Sequence, residues 1–180
     1  RQIHAHKGHG AIAVKGHNVK LGRGGIREIE FFVQTQQLIA GGRMPLLRCK
    51  STEETLRELT AAKWIDQATC DELTECYWFL RNVEHRIQMV RDEQTHLLPE
   101  TDVELKRIAY MNGSPYLADF TEKLSATLKT VESRYAKLFE QETKLSTETG
   151  NLVFTGQNDD PDTLKTLAKL GFERPADISR

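Results

Sequence analysis

Over residues 67–93 the apolar residues Leu73, Cys76, Tyr77, Leu80, Val83, Ile87 and Val90 recur at intervals of three and four. At roughly 100° per residue that spacing collects them into one stripe along a helix. Such a stripe is the mark of one buried face, so it predicts a long helix over about Gln67–Glu93. A second stripe, Leu117, Phe120, Leu124, Leu128, Val131, Tyr135 and Leu138, keeps the same period and predicts a helix reaching about Gln141.

The remaining elements follow from their punctuation. A helix is expected from about Ile26 to Ala40, stopped by Gly41-Gly42 with Pro45 beyond. Another opens at Ser51 or Thr52, with Glu53 or Glu54 placed for capping, and continues to about Lys63. After Leu97-Leu98-Pro99, Thr101 or Asp102 caps a short helix to about Met111, and Asn112-Gly113-Ser114-Pro115 makes a turn. No segment alternates with period two for long enough to argue a sheet. The fold class is therefore all-α, and short connections make an antiparallel helical bundle the natural architecture.

Outside the bundle, placed at residues 18–145, the pattern changes. Residues 1–7 read as the end of a preceding helix, and Gly8, Gly10 and Gly16 make residues 8–17 a mobile loop. Residues 146–180 read as a linker, then a short helix started at Asp159 or Asp160 and ended at Gly171. A chain that begins at Arg1 is expected to be a piece of something longer.

Charge excludes some partners. With 180 residues the chain can bury a core, and its net charge of −1 gives no global pull toward nucleic acid or an anionic membrane, so any basic site is local. Three cysteines, Cys49, Cys70 and Cys76, make no CxxC pair and suit a reducing cytoplasm. No apolar run approaches the roughly 18–20 residues that span a bilayer.

Candidate chemistry concentrates in two segments. The first, "NVKLGRGGIREIEFFVQTQQLIAGGR" over residues 18–43, sets a basic, glycine-rich loop before a helix. Free N–H groups and the positive end of the helix dipole there could hold a phosphate. Neither GxxxxGK[ST] nor a preceding strand accompanies it. Within the helix, Arg27, Glu30, Gln34 and Gln37 share one side and Ile26, Ile29 and Val33 another. Phe31, Phe32 and Leu38 flank the polar side, so the helix should be largely enclosed, with its polar stripe facing structural partners or a ligand.

The second segment is "FLRNVEHRIQMVRDEQ", residues 79–94, where Arg81, Glu84, Gln88 and Asp92 make a polar strip beside the apolar one. It reads as an interhelical charge network that fixes register. Glu84 and His85 are adjacent on a helix and do not face one common atom, which argues against an acid/base pair. His4, His6, His9 and His17 could ligate a metal, but a glycine-broken loop does not fix tetrahedral geometry, so no metal site is assigned. Cys70 and Cys76 are expected to be small hydrophobes of a helix and not nucleophiles.

The first segment, the following "LLR", the stretch "FLRNVEHRIQMVRDEQTHLLP" and the closing long helix together resemble the helical domain of bacterial glutamine synthetase adenylyltransferase/deadenylyltransferases over nearly the whole chain. The resemblance implies a bundle like that of PII uridylyltransferase. It also implies a parent enzyme of two halves, each joining a nucleotidyltransferase domain to such a bundle. One half attaches AMP from ATP to glutamine synthetase, the other removes it by phosphorolysis with release of ADP, and glutamine and the PII signal protein set the balance.

The tail "NLVFTGQNDDPDTLKTLAKLGF" looks like the connector after the first bundle, which implies the N-terminal, adenylyl-removing half. The nucleotidyltransferase hallmark, a Gly-Ser turn leading into a magnesium-holding Asp-x-Asp, is absent as a unit, and Asp159-Asp160 in the linker does not replace it. The chain is therefore expected to carry no catalytic residue and no cofactor and to be silent alone. Magnesium and ATP or ADP belong to the intact cytoplasmic enzyme.

For the bundle, the resemblance implies packing beside the nucleotidyltransferase domain. Lys20, Arg23 and Arg27 would then meet phosphate oxygens, Gly22, Gly24 and Gly25 would allow close backbone approach, and Glu28 and Glu30 would orient the bases. Glutamine synthetase and PII are the partners expected of the intact enzyme. The alternative is a regulatory module that binds PII, or couples the halves, without touching nucleotide.

Overall fold

The computed structural model describes residues 12–149. His4, His6 and His9, the expected helix end at residues 1–7, and the expected linker and helix after residue 149 lie outside the described residues. The order of elements is α1 (Ile26–Ala40), a single 3-10 turn (Pro45–Leu47), α2 (Thr52–Ala61), α3 (Gln67–Arg91), α4 (Asp102–Met111) and α5 (Leu117–Thr149). The described residues are thus all-α, with one isolated antiparallel bridge between Asn18 and Leu97 and no strand.

Local chemistry sets the helix ends. Ser51, Asp66 and Thr101 accept hydrogen bonds from the N–H groups of Glu54, Thr69 and Glu104, so α2, α3 and α4 each start on a side-chain cap. α2 gives way before the expected Lys63, which has φ 57°, and α3 ends at Asp92, with φ 49°. Short polar side chains tolerate the left-handed region best, which suits Asp92 to closing a helix. α5 runs past the expected Gln141 because no glycine or proline interrupts residues 117–149, so residues 146–149, expected as linker, are helical.

Two compact units are distinguished, Arg1–Ala136 and Lys137–Arg180. The core of the first is built from the two stripes. Leu73, Leu80, Val83 and Ile87 of α3 are buried, as are Phe120, Leu124, Leu128 and Val131 of α5. Ile26, Ile29 and Val33 of α1 and Leu105, Ile108 and Ala109 of α4 are buried as well. A satellite cluster of Ala40, Leu47 and Leu59, with Met44 and Ile65 against it, closes the junction of α1 and α2. Residues 12–17, expected as part of a mobile loop, form a turn tied down by Leu98 N–H donating to His17 O at 2.8 Å and by a 2.8 Å ion pair between Lys15 and Asp102.

α1 departs from the expected enclosure. It packs against α2 and α3 through Ile29, Phe32, Val33, Gln36 and Ala40, one face of the helix. Gln34, Ile39 and Leu38, the last 85% exposed, remain on the open side. α2 and α3 cover one flank and α5 adds an edge-on contact of Tyr135 with Phe31, so the buried polar residues of α1 are Glu28 and Gln36, while Gln34 lies in solvent.

Leu124 is fully buried in the α5 stripe. Leu124→Ala should destabilise the fold by about 2–5 kcal/mol in urea unfolding monitored by circular dichroism. A loss under about 0.5 kcal/mol would place α5 outside the core.

Candidate functional site

The glycine-rich segment is closed by its own backbone. Asn18 Oδ1 accepts from the N–H groups of Lys20 at 3.0 Å and Leu21 at 2.8 Å, bending the chain into an Asx turn. Gly22 N–H then donates to Asn18 O and Gly25 N–H to Gly22 O. The first amides of α1 are taken in the same way: Ile26, Arg27 and Glu28 donate to the carbonyls of Val19, Lys20 and Gly25, each at 3.0 Å. Gly24 N–H donates to Glu28 Oε2 at 3.0 Å, a side chain reaching back over its own N-terminus as in a capping box. Every amide from Gly24 to Glu28 therefore has a protein acceptor.

Packing explains the glycines. Gly24 has φ +69°, and a Cβ there would stand 2.0 Å from the Leu128 carbonyl oxygen of α5. A Cβ on Gly25 would meet the carbonyls of Val19, Lys20 and Gly22 at 2.8–2.9 Å. The turn seats α5 and folds on itself, and the N–H groups of Gly24 and Gly25 are already taken by protein acceptors.

What remains for a ligand is side chains. Arg27 is 60% exposed, with Nη1 at 3.0 Å from Glu30 Oε2, a surface i,i+3 pair. Arg23 pairs with Glu132 of α5, and its carbonyl lies 3.1 Å from Nε2 of His17, whose pKa is lowered by burial against a smaller opposing effect of that bond. Glu30 lies against Arg27, whereas Glu28 caps Gly24. Burial raises the Glu28 pKa to about 6, the Gly24 N–H opposes this, Glu132 adds to the rise, and Arg23 lowers it.

The strip on α3 resolves into one buried carboxylate. Glu84 is 1% exposed; its Oε2 lies 2.6 Å from Arg81 Nη1, and its Oε1 lies 3.4 Å from Lys20 Nζ and 2.9 Å from His96 Nδ1. Gln88 is half-buried, while Asp92 is the exposed C-cap of α3, so of the expected strip only Arg81 and Glu84 come together. His85 faces solvent, away from Glu84. Gln37, placed on the polar side of α1, donates to Leu47 O and Cys49 O, and its Nε2 lies 3.2 Å from Thr55 Oγ1. His96 and its approach to Glu84 have no signature in the sequence pattern, because the contact joins a loop to a helix that has already ended.

Among the described residues no three His, Cys, Asp or Glu side chains gather as a metal site. A cavity of about 300 Å³ opens between α3 and α5, lined by Glu72, Glu75, Cys76, Phe79, Lys123 and Thr127 among others. Burial and the nearby Glu75 and Glu72 push the Cys76 thiol up to about 11, which leaves it a small hydrophobe and not a nucleophile.

The described residues thus make an all-α domain that presents Lys20, Arg23 and Arg27 around a closed turn. The chain belongs to the family described as GlnD PII-uridylyltransferase, whose model matches residues 1–139. It is similar to proteins named bifunctional glutamine synthetase adenylyltransferase/adenylyl-removing enzyme. It is 76% identical over 180 residues to the one from Agrobacterium fabrum, covering 100% of this chain and 18% of that protein. The relative from Rhizobium meliloti is 75% identical over 179 residues, 99% of this chain and 18% of that protein. The one from Xanthobacter autotrophicus is 52% identical over 179 residues, again 99% and 18%. The chain thus spans about a fifth of the length of these relatives.

Glu28 supplies a pH test. Its folded pKa of about 6 lies above the ordinary 4.5, so the folded state holds the proton more tightly and stability is lost as pH rises through that window. Glu28→Gln keeps an acceptor for Gly24 N–H without the charge. It should therefore be more stable than the parent by about 1–2 kcal/mol at neutral pH, with the advantage shrinking toward pH 4.5. Urea unfolding across pH 4.5–7.5 measures this; a difference independent of pH would mean that the carboxylate is not desolvated.

Proposed function

We propose that this chain is the helical part of a bifunctional enzyme that adenylylates glutamine synthetase and removes the adenylyl group, and that it belongs to the N-terminal, adenylyl-removing half. The identity over the whole chain to relatives named for both activities supports the parentage. The connector-like tail supports the choice of half. On this reading the segment is inactive alone and packs beside a nucleotidyltransferase domain in the cytoplasm, with the residues after α5 leading onward. No helix among the described residues is long and apolar enough to cross a membrane.

The observation that carries the phosphate-facing role is the exposed guanidinium of Arg27 at the positive end of α1. With the amides of that end occupied, side chains make the contact: Arg27 first, then Arg23 and Lys20. A guanidinium fits the oxygens of ATP, ADP or free phosphate. Magnesium finds no fitting set of ligands among the described residues, so no step is assigned through it here.

A second reading has its own observation. Leu38, Ile39 and Leu46 are large apolar side chains exposed on or just after α1. They suit a protein contact, which on this reading is PII or the other half of the enzyme.

In the full-length enzyme Arg27→Ala should depress deadenylylation about ten- to a hundredfold, the loss of one charge-assisted bond in a partly desolvated site, and leave adenylylation nearly unchanged. Because the Arg27–Glu30 pair is exposed, the melting temperature should barely move. Unchanged deadenylylation would remove Arg27 from the reaction.

A further inference from the structure

Backbone pairing fixes two loops side by side before any side chain is considered. Val19 N–H donates to His96 O at 2.9 Å and Leu98 N–H to His17 O at 2.8 Å, so Lys20 and His96 are held next to each other above α3. Beneath them lies Glu84, and Arg81 one turn earlier on the same helix completes the group. Three basic side chains from three separate elements converge on one carboxylate.

The arrangement is unbalanced in a specific way. Lys20 and Arg81 bring two fixed positive charges against the single negative charge of Glu84, and among the described residues no other carboxylate stands within ion-pair distance of either. The carboxylate is sealed at 1% exposure, while the side chains of Lys20, Arg81 and His96 keep 31%, 29% and 24%. Each is rooted inward and open outward.

Their donors are also only partly used. A charge-assisted N–H···O bond runs about 2.7–2.9 Å, and Lys20 Nζ stands at 3.4 Å, near enough for attraction without a committed bond. Arg81 spends Nη1 on Glu84 and keeps the rest of its fork. His96 turns Nδ1 toward Glu84 at 2.9 Å, which aims Nε2 away from the carboxylate. That contact is close but misaligned, so neither Glu84 Oε1 nor His96 Nδ1, both buried, completes a hydrogen bond. These two inward atoms face each other, so His96 Nε2 and the outer donors of Lys20 and Arg81 are not spent on Glu84.

We propose that Lys20, Arg81 and His96 form a binding site for a phosphate-sized anion, with Glu84 as the buried residue that positions all three. The anion sits on the outward side of the group, taking the ammonium, the free edge of the guanidinium and His96 Nε2, while Glu84 holds their inner faces. It rests on the phosphate-facing reading above through Lys20 alone, and adds two residues from outside the glycine-rich segment. The shared chemistry is a tetrahedral phosphoryl group, whether free inorganic phosphate or the terminal group of a nucleotide.

The test is a titration of the isotope-labelled chain with inorganic phosphate, and in a second arm with ADP, each against sodium chloride of matched ionic strength. The imidazole signals of His96 and the Nε–H signal of Arg81 are followed by NMR, with exposed His85 as the internal control. Both reporters should shift saturably with phosphate and not with chloride, and Lys20→Met should weaken the affinity about tenfold. ADP binding more tightly than phosphate would identify a nucleotide as the source, and equal or weaker binding would identify free phosphate. Should Lys20→Met fail to fold, the titration of the parent chain still decides. Silent His96 and Arg81 signals at millimolar phosphate overturn the proposal. Shifts confined to Arg23 and Arg27 and indifferent to Lys20→Met also overturn it, yet leave the Arg27 reading standing.

Discussion

The approach of Gly24 to the Leu128 carbonyl is the constraint from which the described part of the first unit is organised. α5 can lie against the start of α1 only where a residue without a Cβ adopts a left-handed backbone, and Gly24 does so at φ +69°. Once α5 is seated there, the Phe120–Leu124–Leu128–Val131 stripe meets the core, and Glu132 comes within reach of Arg23. Glu28, in the first turn of α1, secures the same turn from inside by accepting the Gly24 N–H. The cost is a carboxylate drawn out of water beside a second carboxylate, which is why its pKa rises.

Glu84 plays the complementary part on the other side of the turn. It gathers a residue before α1, a residue on α3 and a residue after α3 around one buried charge. A buried carboxylate stripped of its partners is costly, so the group fixes how the chain segments on either side of α3 meet. The two carboxylates divide the work: Glu28 shapes the glycine turn and Glu84 anchors the loops that flank it. The basic side chains of the segment are thereby separated, with Lys20 drawn toward α3, Arg23 toward α5 and Arg27 left at the surface.

Much of this was legible in the sequence because one-sided burial writes itself as a period. The stripes of α3 and α5, the stop at Gly41-Gly42 and the caps at Ser51 and Thr101 are local signals, and the elements they mark occur where those signals place them. The open side of α1 was not legible, since its apolar residues surround most of the helix and only tertiary packing decides that Leu38 is left out. The glycines carried a double meaning. Close approach to a phosphate and close approach to a neighbouring carbonyl demand the same missing Cβ, and only the position of Leu128 separates them. His96 lay beyond reach for a different reason: its relation to Glu84 and Lys20 joins residues with no shared periodicity.

The claim that the segment is a closed turn, with ligand contact left to side chains, is tested most directly by amide hydrogen exchange at Gly24, Gly25, Ile26, Arg27 and Glu28. With every one of these N–H groups bonded to a protein acceptor, their exchange should be slowed to near that of buried α3 amides such as Leu80. Exchange as fast as that of the first-turn amides Thr52 and Glu53 of the exposed start of α2 would contradict the account and return the segment to an open cradle.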